Sequence, residues 1–410
     1  MKLATASIDI TPHMPVKLCG YVNDIRNSQR TQTAHAPIYA MALRLVYDKR
    51  QILVLTLDIL SIPKYRSDEI KKAIVCEYPI QSDEIIIHAI HTHAGPSGFS
   101  VDAMGQEYED NKEYRESVIN RIVQGLKPVF NNITSVQAKI GKTQIQDFYD
   151  NRNDADSYYD AEAFVIRFHD TAGNLIAELI SMNVHSTVLG PLNMEISYDL
   201  IGTIREKLYE KQGIRPLICI GTSADISNRH FRQGDDFKEL DRTAQGISNI
   251  LLQIDEFKEL DMASLVMEKY TYYLKYDNRK NYPAYEEELQ KIKQQLAMIR
   301  DKTQEKLLLS SKNKQEAKLN IQEVEKEIEI SFLRFPQLLI VTFPGELTSV
   351  FGKYIKDISH YPYTFFMTCT NDHHGYFIEQ EQFGKCYEST ATLIPIGETE
   401  KIIKELGERI

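Results

Sequence analysis

The chain has 410 residues, of which 42% are hydrophobic and 26% charged. Those fractions belong to ordinary soluble globular proteins and exclude a disordered, collagen-like or membrane-spanning chain. The 48 Lys and Arg against 58 Asp and Glu leave a net charge of −10. That excludes the basic face that a nucleic acid partner or a polybasic membrane patch requires. Cys19, Cys76, Cys219, Cys369 and Cys386 are scattered, odd in number and free of C-x-x-C pairing. Reduced thiols in a cytoplasmic setting are therefore expected, rather than a disulfide framework or a Cys-rich zinc site. Asp9 arrives before any apolar stretch forms, so no signal peptide is expected. No apolar run reaches the ~18 residues of a transmembrane segment.

Residues 41–47 and 51–60 are two β-rich runs joined by Asp48-Lys49-Arg50, the pattern of a hairpin. A helix is predicted over 67–76, with Ser67 as its cap and Asp68 and Glu69 in the first turn, where the helix dipole favours anions. Residues 84–90 read as a short apolar strand and 112–130 as a helix. A second strand pair, 163–168 and 175–184, turns through 171–174. Helices at 199–211 and 235–252 flank a buried strand at 216–220.

From 282 to 330, Glu, Lys and Gln dominate. Leu289, Ile292, Leu296 and Ile299 recur at spacings of 3, 4, 3, and Ala317, Ile321, Val324 and Ile328 at 4, 3, 4. Two antiparallel helices with a turn near 310–314 are expected. Such a hairpin either packs on its own domain or serves as an arm for homo-oligomerisation or a partner. Strands at 337–343 and 364–369 and a last helix at 398–406 resume the α/β pattern. The expected fold is one α/β domain over 1–410, with mixed twisted sheets flanked by helices and 282–330 as an inserted antiparallel helical hairpin.

Histidine is scarce, at 11 in the chain, yet His88, His91 and His93 fall within six positions. They end the 84–90 strand and enter Ala94-Gly95-Pro96-Ser97-Gly98. In an extended strand residues i and i+2 share a face. His91 and His93 would then point the same way, as two metal ligands or as hydrogen-bonded loop histidines. His185 ends the 175–184 strand and carries the same two readings. Glu346, in Phe343-Pro344-Gly345-Glu346, either caps the following helix or binds a cation. Asn371-Asp372-His373-His374-Gly375-Tyr376 is a polar turn after the 364–369 strand. The 216–220 strand runs into a hydroxyl-rich loop, where Ser227 is a nucleophile, an oxyanion hydrogen-bond donor or a helix cap. All five segments lie just past the C-terminal end of a strand, and in α/β sheets such ends cluster in space.

The order and local spelling of these segments resemble the neutral (non-lysosomal) ceramidase family. Asp9-Ile10-Thr11-Pro12 and Gly20-Tyr21 match its opening. His91-Thr92-His93-Ala94-Gly95-Pro96 matches its His-Thr-His-Ser-Gly-Pro block, and Asn151-Arg152 its Asn-Arg segment. His185 with residues 197–202 matches a strand-end His followed by Ser-x-Asp-x-x-Gly. Ala224-Asp225-Ile226-Ser227-Asn228-Arg229 is similar to its Gly-Asp-Val-Ser-Pro-Asn block. Pro344-Gly345-Glu346, Gly375-Tyr376 and Tyr387-Glu388 complete the series over nearly the whole chain.

The resemblance implies a zinc-dependent amidohydrolase with one Zn2+ per chain, cleaving an N-acyl amide, ceramide-like or smaller. It implies His91, His185, Glu346 and Tyr376 as zinc ligands, a set that leaves one coordination position open. It places His93, Arg152 and Tyr387 at the substrate carbonyl oxygen. Ser227 takes the position of the family's nucleophile, and zinc-activated water is the alternative attacking group. An ester or other acyl hydrolase on the same site, and a non-catalytic binding or scaffold protein using the helical arm, are the competing readings. The family's members also carry a C-terminal immunoglobulin-like domain and usually a secretory signal, neither of which is expected here. Ala224 stands for the usual Gly, Asn228 for Pro and Ala94 for Ser. With no Trp to anchor at a membrane interface, these departures shift the expected substrate from ceramide toward a smaller N-acyl amide.

Overall fold

A computed structural model describes residues 1–21, 23–300 and 302–410. A nine-stranded sheet runs in the order Ile85–Ala89, Gln51–Leu57, Tyr39–Val46, Lys2–Asp9, Thr134–Gln144, Glu162–Asp170, Leu175–Met182, Leu217–Ile220, and Lys258–Leu260 also pairs with Thr134–Gln144. A four-stranded sheet runs Val266–Asp277, Glu323–Arg334, Leu338–Thr342, Tyr363–Met367. Most neighbours are antiparallel. The Ile85–Ala89, Leu217–Ile220 and Tyr363–Met367 strands instead run parallel to their partners.

The layers follow from side chains alternating across each strand. On Gln51–Leu57, Leu53, Leu55 and Leu57 face one core while Ile52 and Val54 face another. Ile218 and Ile220 likewise oppose Leu217 and Cys219. Strands apolar on both faces read as continuous apolar runs because both faces are covered. The first core holds Ile70 and Ile74 of helix Lys64–Glu77, Val118 of Lys112–Gly125, Leu200 and Ile204 of Asp199–Gln212, and Ile247 of Phe237–Leu252. The second joins the sheets, with Leu43, Phe164 and Leu179 meeting Leu338, Ile340 and Phe365. The third lies between the four-stranded sheet and helices Ser349–Ile358 and Glu398–Gly407. The architecture is helix, sheet, sheet, helix, an α/β fold with mixed sheets.

Several elements depart from the sequence expectation. The helix predicted at Ser67 begins at Lys64, and Ser67 lies inside it with its hydroxyl donating to Lys64 O and Asn371 O. The Lys64 N–H donates to Asp372 Oδ1 at 2.8 Å, so the helix start is satisfied by a residue 308 positions away. The 112–130 period splits into Lys112–Gly125 and Lys127–Asn131, because Pro128 has no N–H and crowds the preceding turn.

In the 282–330 segment the helices are Tyr282–Met298 and Lys302–Lys318, with residues 310–314 inside the second rather than at a turn. Glu323–Arg334 is a strand. Its sequence, Glu-Val-Glu-Lys-Glu-Ile-Glu-Ile, alternates with period two and buries Val324, Ile328 and Ile330. Lys326 interrupts that alternation and leaves the helix-like spacing of Val324 and Ile328.

Candidate active site and metal centre

Main-chain bonds bring the parallel strand ends of the two sheets together. Ala89 N–H donates to Cys369 O at 3.1 Å and Thr368 N–H to Ile220 O at 3.0 Å. His88 staples the same three strands. Its Nδ1 donates to Thr368 O at 2.7 Å and its Nε2 accepts from Ile220 N–H at 3.2 Å. Burial pushes its pKa down to about 3, so it is a neutral structural residue.

The turns beyond Ile85–Ala89 and Leu175–Met182 carry His91, His93 and His185, and one ring nitrogen from each lies within 4.8 Å of the other two. His91 Nδ1 faces Leu60 O at 2.9 Å and His185 Nδ1 faces Ser223 O at 3.2 Å. A carbonyl only accepts, so both rings donate from Nδ1 and turn Nε2 toward the cluster. That is how metal-binding histidines are ordinarily held. His91 Nε2 lies 3.3 Å from His93 Nε2 and 3.3 Å from Glu346 Oε2. The Glu346 contact lacks hydrogen-bond geometry and leaves Oε2 buried without a partner. Burial, with the neighbouring His91, lowers His185 to about 3 and holds His93 well below its ordinary value. Burial opposes ionisation of Glu346 as well, but His91 outweighs it and holds the carboxyl down at about 2. Burial opposes protonation of His91 too, but the Glu346 carboxylate outweighs it and raises His91 well above its ordinary value, so this pair shares a proton that a divalent cation would replace. Together with the neutral His93 and His185, the carboxylate forms a donor set that can hold such a cation.

The backbone around the cluster is constrained. His91, Cys369, Asn371 and Asp199 adopt left-handed conformations, with φ of 62°, 50°, 62° and 47°, which are uncommon for such residues and concentrate at functional sites. Asp199 accepts from Val188 N–H and Leu189 N–H at 3.0 and 3.3 Å, fixing the loop after His185. His93 is backed by Tyr21, edge-on at 5.0 Å, and by Arg26, which donates to His93 O at 2.5 Å and Cys19 O at 2.8 Å. Gly20 has φ 97°, and a Cβ there would stand 2.5 Å from His93 Cα.

Glu346 and Tyr376 are opposite one another in a short parallel pair, Glu346–Leu347 with Tyr376–Phe377. Glu346 does not cap the next helix, whose first amide, Ser349 N–H, donates to Asp225 Oδ1 at 2.9 Å. His373 joins the cluster from the Asn371–Tyr376 turn, its Nε2 3.9 Å from Glu346 Oε1.

Arg152 is largely buried and donates from Nε to the fully buried Glu388. Its guanidinium lies 5.6 Å from the centre of the Tyr376 ring, and Tyr376 meets Tyr387 at 6.3 Å and 78°. Arg152 N–H also donates to Asp225 O at 2.7 Å, beside the pairing of Asp150–Asn151 with Ile226–Ser227. Ser227 is buried, and its Oγ accepts from Arg229 N–H at 3.0 Å in a turn where no helix starts. That amide cannot serve as a base. Asp225 and Glu388 stand in the family-like blocks with no role that the sequence assigns, and Arg26 carries no sequence signal at all. Glu388 carries the one usable signal, an acid directly beside Tyr387.

The sequence profile described as "Neutral/alkaline non-lysosomal ceramidase, N-terminal" matches residues 2–214. The fold matches a crystal structure of neutral ceramidase from Pseudomonas aeruginosa with a TM-score of 0.74 at 17% identity, over 99% of this chain and 73% of that one. A structure titled "Ceramidase complexed with C2" matches with a TM-score of 0.75 at 15% identity, over 99% of this chain and 74% of that one. A comparison with curated proteins finds no match. Among the described residues, no helix is long and apolar enough to cross a membrane.

Proposed function

Because the chain belongs to the neutral/alkaline non-lysosomal ceramidase family, which hydrolyses the amide bond of ceramide, we propose that it is a zinc-dependent amidohydrolase of N-acyl, ceramide-like substrates. The observation that carries the metal assignment is the meeting of one nitrogen each from His91, His93 and His185 within 4.8 Å, with His91 Nε2 3.3 Å from the buried, unpartnered Glu346 Oε2. In this reading His91, His185, Glu346 and Tyr376 hold the ion. When bound, zinc supplies a Lewis acid that polarises the amide oxygen and lowers the pKa of water to about 7.

The chain's own groups do the rest. His93, Arg152 and Tyr387 surround the position of the amide oxygen and donate hydrogen bonds to it as it gains charge. Each such donor contributes about 3 kcal/mol to the barrier reduction. Glu388 holds the Arg152 guanidinium in place. Ser227 uses its oxygen to accept the Arg229 amide, leaving its O–H to donate, so we assign it as a hydrogen-bonding partner of the reacting carbonyl and water as the attacking group. The five cysteines are free thiols, which supports a reducing, cytoplasmic setting.

The test is amine release from N-acyl amides of graded chain length, with matched esters alongside, before and after chelation. The reading predicts amide cleavage that chelation abolishes and zinc restores. A folded, metal-free protein with full activity would overturn it, and cleavage of the esters alone would replace amidase with esterase.

A further inference from the structure

The two arm helices lie outside the region matched by the family profile, yet their base locks onto the rim of the active site. Tyr387 and Glu388 open a short helix, Tyr387–Ala391. Glu288, buried on the first arm helix, accepts the Ser389 hydroxyl at 2.5 Å and Gln315 Nε2 at 2.9 Å. Lys318, buried at the end of the second, donates to Ser389 O at 2.6 Å and lies 4.3 Å from the centre of the Tyr285 ring. A buried polar joint of this kind fixes one relative placement of its parts, because sliding would leave charged groups unpaired.

On the same helical face, four residues before Lys318, the Lys314 ammonium lies 2.5 Å from Tyr387 Oη and 4.6 Å from the centre of its ring. An ammonium has donors only, so Tyr387 Oη is the acceptor and its own proton must point elsewhere. A phenol that accepts from a cation is also a stronger donor through its remaining O–H. An exposed lysine contact is ordinarily weak because the side chain gives up so much freedom. Here the helix beneath Lys314 is pinned at the next residue by Gln315 and one turn on by Lys318.

We propose that the arm is part of the catalytic apparatus and that Lys314 is a positioning residue, holding Tyr387 by its oxygen so that the phenol O–H faces the substrate oxygen. This rests on the reading of Tyr387 as an oxyanion donor.

The experiment compares Lys314→Met and Lys314→Arg, each alone and combined with Tyr387→Phe, in the zinc-loaded enzyme. Lys314→Met should lower kcat about tenfold while KM stays within about twofold, and Lys314→Arg should recover most of the loss. In the Tyr387→Phe background Lys314→Met should be silent. A second readout needs no turnover: the 13Cζ tyrosine resonance assigned to Tyr387, by its absence in Tyr387→Phe, should move in Lys314→Met. An unmoved resonance, an unchanged kcat, or an equal loss in both backgrounds overturns the proposal. If Tyr387→Phe is impaired and Lys314→Met is not, only this inference fails. If Tyr387→Phe is as active as the parent, the reading of Tyr387 fails and takes the inference with it.

Discussion

The two halves of the site are built by opposite means. In the histidine half the rings of His91 and His185 are aimed by main chain: they give their Nδ1 protons to Leu60 O and Ser223 O, and His91 sits in left-handed backbone. The rim half is held by side chains, Arg152 by Glu388, Tyr387 by Lys314, and the Tyr387–Ala391 helix by Glu288 and Lys318. Carbonyl anchors persist whatever the neighbouring residues become, whereas side-chain anchors change with one substitution. A centre that must present fixed lone pairs suits the first construction. In the proposed reading, the second suits a surface that orients an acyl amide.

The contrast can be broken most forcefully at the histidines. His185→Ala should lose the metal and lower kcat/KM by at least about a thousandfold, with metal content and activity falling together. Arg152→Met should cost about a hundredfold in kcat and, unlike the histidine change, several kcal/mol of stability, because Glu388 is left charged and buried. Thermal unfolding of the two variants side by side would show whether the rim alone doubles as a structural ion pair. Ser227→Ala should cost only about tenfold in kcat; a loss of several orders of magnitude would make Ser227 the nucleophile.

The smallest effect concerns pH and the arm. Burial pushes the Lys318 ammonium down to about 8, below the ~10.5 of a free lysine. Between those values the unfolded chain binds the extra proton, so the folded state gains stability as pH rises from 8 towards 10.5. The Tm of the parent should therefore gain on that of Lys318→Met across this window, and a constant difference would show that the buried lysine does not titrate on unfolding.

Much of this site is legible in the sequence because each contributing strand is a short apolar run ending in a polar turn. His91, His185, Glu346 and the Asn371–Tyr376 turn all share that signature, and the structure gathers them. That they come from two stacked sheets is not legible: Leu217–Ile220 and Leu338–Thr342 look alike locally, and which face meets which depends on packing between distant segments. The partner of Arg152 is hidden for the same reason, since Glu388 lies 236 residues away. The strand at Glu323–Arg334 is obscured by one residue, Lys326, placed where the alternation calls for an apolar side chain. The arm's tie to Tyr387 is not legible because Lys314 stands where the spacing of apolar residues points to a turn rather than to the helix Lys302–Lys318.

The most direct measurement is metal content per chain, by elemental analysis of purified parent protein and of His91→Ala and His185→Ala. The account predicts close to one zinc per chain in the parent and almost none in either variant while both remain folded. Zinc retained in full by both variants, or a parent that is active with none, would contradict it.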